Sequence, residues 1–288
     1  MAISARQPST LDTNKFIPEI FSKNALVAIK NKLVAIPFFN HSYEADVVKG
    51  DTLYITKTNT ITATEVTVGT EGTDSNPFNT TPVTLTINLF YEARVPIDEM
   101  SRPQSQIDLQ AEAERETAYA IKKVMDTSVC DLFSSLGGKS TSAYGTDGSA
   151  WTDDVLIGAV EYLDEADAPD EDRVWFSDPS VKADIMKIDK FVRQDYGAGD
   201  VIPTGAFRKD IYGAPLLITN NLTAVSSGTG NYGVYAHKNA IAIAISENLK
   251  VNIVPEPLKS RTVIQTKALW GVVELRDTFG YPIFTRLA

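Results

Sequence analysis

From Asp46 to Ile97 hydrophobic and polar residues alternate with a period of two. Leu53, Ile55, Ile61 and Ala63 share one parity, and Thr56, Thr58, Thr60 and Thr62 take the other. The return run is more regular, with Val83, Leu85, Ile87, Leu89, Tyr91, Val95 and Ile97 alternating with Thr84, Thr86, Asn88, Glu92 and Arg94. Such alternation in β-branched residues predicts strands with one buried face. Gly69 to Pro82, rich in Gly, Thr, Asp, Asn and Pro, predicts the loop between them. The pattern therefore predicts one long β-hairpin over 46–97. At about 3.3 Å per residue, an arm of some 12 to 15 residues reaches on the order of 40–50 Å. A two-stranded ribbon of that length is not stable alone in water, so it needs a surface to lie on.

Elsewhere the period is helical. Pro18 opens a helix expected to run to about Val34, with Ile20 or Phe21, Ala25, Ala28, Ile29 and Leu33 on one side. The polar stretch Ser4 to Asn14 before it reads as an arm ordered only by a neighbour. The longest helix is expected over Gln104 to Leu136, entered through Ser101 and Pro103 and stopped by Gly137-Gly138. Its apolar stripe is Ile107, Ala111, Ala118, Ile121, Met125, Val129 and Leu132. Thr152 and Asp153 cap a third helix carrying Leu156, Ala159, Val160 and Leu163. Arg173 to Ser177 reads as a buried strand, and Asp178-Pro179 starts a further helix. Gln194 to Gly205 reads as a mobile glycine-rich loop. Lys209 to Asn221, Gly233 to Ile245 and Leu249 to Leu287 read as β-structure. Helix, β-arm, long helix, mixed block and closing strands together predict an α+β fold, not a doubly wound sheet.

Composition narrows the function. The 27 Lys and Arg residues face 37 Asp and Glu, a net charge of −10. Phosphate neutralisation supplies most nonspecific nucleic-acid affinity, so such a surface repels DNA on average. No apolar run reaches the roughly 18 residues of a membrane span. Met1 to Thr10 has neither the basic segment nor the apolar core of a signal peptide, which implies a cytoplasmic start. The single cysteine, Cys130, precludes an internal disulfide framework and reads as a small buried hydrophobe.

No chemical motif completes a site. Gly228-Thr-Gly-Asn-Tyr-Gly233 has the spacing of a dinucleotide fingerprint, but it follows polar residues and precedes a strand. His41 and His237 lack metal-type spacing, and no nucleophile elbow accompanies them. The acidic run Glu161, Asp164, Glu165, Asp167, Asp170, Glu171 and Asp172 has Ala168-Pro169 where a calcium loop needs glycine. It reads as a solvated helix end, or as a contact for Lys or Arg of another subunit. Adjacent Asp98 and Glu99 do not face one another, and capping near Ser101 suits them better. No catalytic, cofactor-binding or metal-ligating residues are expected.

The order of elements resembles the major capsid proteins of tailed phages, the Hong Kong 97-type fold. Phe16-Ile-Pro-Glu-Ile-Phe-Ser-Lys resembles the start of the family's N-terminal arm, and Gly50-Asp-Thr-Leu-Tyr-Ile the start of its extended loop. Ile97-Asp-Glu-Met and Gln110 to Asp126 are similar to the turn into the spine helix. Asp172-Arg-Val-Trp-Phe-Ser-Asp-Pro and Ile211-Tyr-Gly-Ala-Pro-Leu-Leu-Ile-Thr-Asn-Asn resemble pieces of the axial domain. Leu249 to Arg276 resembles the return into the peripheral domain. The resemblance implies an arm with its helix at 1–45 and an extended β-hairpin loop at 46–97. A peripheral domain of spine helix and long strands would occupy 98–138 and 246–288, and an axial domain 139–245.

It further implies a non-enzymatic virion subunit, assembled in a host bacterial cytoplasm. Hexamers and pentamers of the chain would form an icosahedral shell around double-stranded DNA, contacted nonspecifically if at all. The chain lacks the N-terminal scaffolding region of some relatives. That implies a separate scaffolding protein, with a portal and a possible decoration protein as further partners and no membrane. Two other readings are an encapsulin-like compartment shell, and a hydrolase or carbohydrate-binding protein with a cleft around Trp151, Trp175 or Trp270.

Overall fold

The computed structural model describes residues 33–46, 50–58, 61–71, 80–99, 109–138, 145–188, 190, 210–225 and 228–286. The N-terminal arm, the Pro18 helix up to residue 32, residues 104–108 of the long helix, most of the Gly69–Pro82 loop and the Gln194–Gly205 stretch lie outside them. Leu33 and Val34 are not helical.

The expected hairpin is present but shorter. β1 (Thr52–Thr58) pairs antiparallel with β2 (Thr80–Thr86), from Thr52 opposite Thr86 to Thr58 opposite Thr80. Seven paired residues per strand make a ribbon of about 23 Å. Residues 61–67 carry no strand. The return run divides at Ile87-Asn88. Its second half is β3 (Leu89–Asp98), which leaves the hairpin and pairs along its whole length with β9 (Arg261–Glu274). The other edge of β9 takes β8 (Ile241–Glu256), giving a three-stranded sheet in the order β3-β9-β8. Period two reports that one face is buried and says nothing about which strand is alongside. The change of partner is therefore silent in the pattern.

A second sheet has the order β10-β7-β4-β6-β5, from β4 (Arg173–Ser177), β5 (Asp210–Ile211), β6 (Ala214–Ile218), β7 (Tyr232–His237) and β10 (Gly280–Phe284). Only β4 and β6 run parallel, and the other pairs are antiparallel. All five residues of the central strand β4 are buried. The closing stretch 246–288 is thus divided between sheets, because β10 returns to the five-stranded one. β8 also begins at Ile241, five residues ahead of the expected boundary. Helices and largely antiparallel sheets make the fold α+β.

Helix α1 (Leu109–Asp131) is the long one. It buries Ala113, Thr117, Ile121, Met125, Asp126, Val129 and Cys130. The stripe agrees with expectation from Ile121 onward, but its first turns bury Ala113 and Thr117, not Ala111 and Ala118. Thr117 is usable there because its hydroxyl pairs with Thr266 on β9 at 2.8 Å and with the Ala113 carbonyl at 2.8 Å. At Gly137 the backbone takes φ 75°, the left-handed turn that glycine permits.

Helix α2 (Asp153–Glu165) has Thr152 at its N-cap position, although no side-chain capping bond forms. Asp153 instead accepts from Lys190 and Tyr212. Burial works against its ionisation, yet those partners hold its carboxyl below the usual range. α3 (Pro179–Ile185) starts at Asp178-Pro179 as expected, and the Val181 N–H donates to the Asp178 carboxylate at 3.3 Å.

The main core lies between the five-stranded sheet, the end of α1 and the segment 34–39. Phe39, Phe133 and Phe176 pack within 6 Å of one another, and Trp175 stacks on Tyr235 with ring centroids 4.0 Å apart. Large aromatic faces contribute most of the burial energy in such a core. The three tryptophans are wholly interior. Their indole N–H groups donate to Phe284 O at 2.8 Å (Trp151), Ile211 O at 3.1 Å (Trp175) and Ser128 Oγ at 3.2 Å (Trp270). Among the described residues, these rings are buried in the core and line no open cleft of the kind the ligand-binding reading requires.

Candidate assembly surfaces

Among the described residues, the hairpin packs against the body at its root. Leu85 and Ile87 are buried against Ala244, with Leu53, Ile55, Leu269 and Val273 around them. The Ile87 N–H donates to the Asp51 carbonyl at 2.7 Å and closes the ribbon's base. Beyond the root the ribbon stands clear. A cleft of about 460 Å³ separates Ile55, Lys57 and Val83 from Tyr43, Arg276 and Phe279 on the body. Tyr54 is 68% exposed on the ribbon, and Ile61 and Val66 beyond it are about half exposed.

A second unburied apolar group lies where β8 and β9 project together. Val251, Ile253 and Val254 are exposed on β8, and Leu258 in the connecting turn is entirely so. The same turn is braced by ions. Arg261 Nε lies 2.8 Å from Glu256 Oε2, and that bond holds the Glu256 carboxyl below its usual range. Beta-branched side chains left in water on an edge strand are a standing invitation to another chain.

The chemical candidates resolve into structural parts. In the acidic run, Asp164 and Asp170 belong to Arg173, whose side chain is 4% exposed. Its guanidinium also donates to Pro169 O at 2.8 Å and Ala168 O at 2.6 Å, which ties down the turn after α2. The Gly228–Gly233 loop leads into β7, and the Thr229 and Gly230 N–H groups donate to the Asp147 carboxylate at 2.8 and 2.9 Å. The ring nitrogens of His41 lie 2.7 Å from Glu44 Oε1 and Ile36 O. His237 is buried, and its Nδ1 accepts the Asn239 N–H at 3.1 Å. Burial, reinforced by Arg173, Arg276 and Lys238, pushes its pKa down against the opposing pull of Asp172.

Asp98 ends β3 opposite Arg261, while the Glu99 N–H donates to Ser260 O at 3.0 Å. Their expected cap at Ser101 lies outside the described residues. Cys130 is fully buried, which raises its thiol pKa, with Asp126 and Asp131 adding to the effect. Among the described residues, no three His, Cys, Asp or Glu side chains are placed to hold a metal ion. No helix among them is long and apolar enough to cross a membrane.

The polar residue that sequence reasoning missed is Asp126. It is 0% exposed on α1. Its Oδ1 accepts the N–H groups of Ala35 (2.9 Å) and Ile36 (3.2 Å), and its Oδ2 accepts Asn221 Nδ2 at 3.0 Å. One carboxylate thereby joins the first described segment, the long helix and the loop after β6. Its signal in the sequence is faint: a lone acid among Met125, Val129 and Cys130 on the buried stripe.

Solved structures with this α+β body, rooted hairpin, long helix and projecting two-strand turn match over nearly the whole chain. A structure from Mycobacterium phage Che8 superposes with a TM-score of 0.78 at 22% identity, covering 94% of this chain and 97% of that one. The capsid structure of cyanophage P-SCSP1u gives 0.75 at 14% identity, covering 98% and 99%. The mature capsid of bacteriophage PhiM1 gives 0.73 at 14%, covering 95% and 93%. No family model and no curated protein matches the sequence. The chain has the Hong Kong 97-type capsid fold.

Proposed function

We propose that the chain is the structural subunit of an icosahedral phage head, a major capsid protein with no catalytic role. The observation that carries this reading is the pairing of that fold, matched along almost its full length, with apolar surface left open on its two projections. Stable interfaces bury well over about 1,000 Å², and a lattice multiplies one such contact by symmetry. Hexamers and pentamers of the chain would enclose double-stranded DNA, touched nonspecifically, since a net charge of −10 gives a wall that does not adhere to it. A separate scaffolding protein, a portal and a decoration protein are the partners this reading adds. The virion is its site of action and the host cytoplasm its place of assembly. In domain terms, the three-stranded sheet with α1 serves as the peripheral domain and the five-stranded sheet with α2 and α3 as the axial one. The solved structures that match are phage capsids, so a cargo compartment is the less favoured shell.

The test is excision of the ribbon alone. The cut must stay within residues 53–85, because Leu89 onward belongs to β3 and its loss would expose β9. The shortened chain, bridged by a Gly-Ser linker and expressed with the cognate scaffold, should stay soluble and form no shells by electron microscopy. Shells of normal curvature from it would refute the reading.

A further inference from the structure

We infer that Gly271, with Ala244 beside it, is a fulcrum that sets the angle at which the hairpin leaves the body. The two residues are partners across β8 and β9, and together they leave a shallow saddle in the sheet where side chains would otherwise stand. The end of β2 lies in that saddle. A β-carbon on Gly271 would sit 2.4 Å from the Thr86 carbonyl oxygen, 3.0 Å from its carbonyl carbon and 3.1 Å from Ile87 Cα. All three are backbone atoms, so no rotamer change relieves the contact. Glycine within a strand commonly marks such an approach of another backbone. Ala244, 0% exposed, supports Leu85 and Ile87 from the neighbouring strand.

A second observation, independent of the glycine, gives the fulcrum something to move. The ribbon touches the body at its root and is separated from it further out by the cleft between Lys57 and Arg276. Its paired strands run about 20 Å from Thr86 to Thr80. The nearest fixed point is the Ile87-to-Asp51 hydrogen bond, one residue beyond the saddle. Restoring ordinary contact to an added methyl requires Thr86 to rise by about 1 Å. Over one residue of strand that is a rotation of about 15°, which carries the Thr58–Thr80 end by about 6 Å. Because the ribbon is the arm that would lie on a neighbouring copy, its angle bears on shell curvature. That consequence rests on the proposed function, whereas the fulcrum itself does not.

The experiment separates them. Spin labels at Lys57→Cys and Thr278→Cys, across the cleft in the unassembled subunit, report the ribbon's angle. Gly271→Ala should shift their separation by about 5 Å. Ala244→Val, which raises the saddle without touching the β9 backbone, should shift it too, and it serves if Gly271→Ala fails to fold. With scaffold present, both variants should give particles of altered or broadened diameter. Unchanged label distances in Ala244→Val and in any folded Gly271→Ala overturn the fulcrum. If the distances move but wild-type chain never assembles, the fulcrum stands and the capsid reading fails. If wild-type shells form and both variants match their diameter, the link to curvature is refuted.

Discussion

Replacing Asp126 by alanine should be among the most damaging single changes in this chain. The substitution removes the acceptor for three donors at once: Ala35 N–H, Ile36 N–H and Asn221 Nδ2, at 2.9, 3.2 and 3.0 Å. Two of those bonds are buried and the third partly so. An orphaned buried donor costs about 1–3 kcal/mol. Water entering beside Ile36 would relieve the least buried of the three, which leaves a loss of about 3–5 kcal/mol. Against a whole-domain stability of about 5–15 kcal/mol this is a large fraction. For a chain of this size it corresponds to a fall in Tm of roughly 6–20 °C.

Asp126→Asn should be milder. Its carbonyl oxygen keeps the two backbone donors, and Asn221 turns its amide to offer oxygen in place of nitrogen. The cost is then about 1–2 kcal/mol for the lost charge assistance. Exchanging both residues, Asp126→Asn with Asn221→Asp, restores a donor–acceptor pair and should recover part of that loss in a double-mutant cycle. Urea unfolding of the unassembled subunit, followed by the fluorescence of the interior tryptophans, measures all five proteins, the single Asn221→Asp variant included. An Asp126→Ala variant within 1 kcal/mol of wild type would show that the carboxylate is not what joins these three segments.

Arg173→Met should cost about 3 kcal/mol in the same assay, because it strands the Ala168 and Pro169 carbonyls, and Arg173→Lys should recover only part, since an ammonium cannot span the fork. Asp170→Asn, at a side chain 91% exposed, should stay within about 0.5 kcal/mol of wild type although it breaks a visible ion pair. His237 supplies the pH dependence. Its folded pKa lies below the ordinary value of about 6.5, so as pH falls past that value the unfolded chain takes up a proton that the folded chain refuses. Stability contributed by neutral His237 is therefore complete above about pH 6.5 and declines as pH drops toward the folded pKa. Denaturation at pH 7.5 and 5.5 should show wild type losing more stability than His237→Gln, and equal losses would contradict the assignment.

Much of the fold was legible because its elements announce themselves locally. Asp178-Pro179 starts a helix with its cap in place, Arg173–Ser177 is a buried strand, and Gly137 ends the helical run in the left-handed turn that glycine permits. The hairpin was legible as alternation and misread in extent. Residues 83 to 97 keep one parity through a change of neighbour, since Leu85 is covered at the hairpin's root while Val95 belongs to the three-stranded sheet, opposite Ile264 of β9. Only a long-range partner distinguishes them, and that partner, β9, is more than 160 residues away in the chain. Asp126 was opaque for a related reason. A carboxylate beside a buried stripe looks like a boundary residue until its three donors, 90 to 95 positions distant, are known.

The same reasoning separates what this chain settles by itself from what it leaves to a neighbour. Where polar groups are buried, at Asp126, Arg173 and Thr117, each has a partner within the chain, and the body is self-sufficient there. Among the described residues, one group of exposed apolar side chains lies on the ribbon and the residues beyond it, and another on the β8–β9 turn. A monomer selected for solubility would place charge at those tips, as edge strands ordinarily do. This one exposes Tyr54 on the ribbon and Ile253, Val254 and Leu258 at the β8–β9 turn, beside the Glu256–Arg261 ion pair. An acid introduced at the projecting turn and one introduced in the body should accordingly act in different ways. Leu258→Glu should leave the urea midpoint of the subunit unchanged and stop assembly. Arg173→Glu should unfold the subunit before assembly can be asked about. A Leu258→Glu chain that formed shells as readily as wild type would mean that the projecting turn faces solvent in the assembled state.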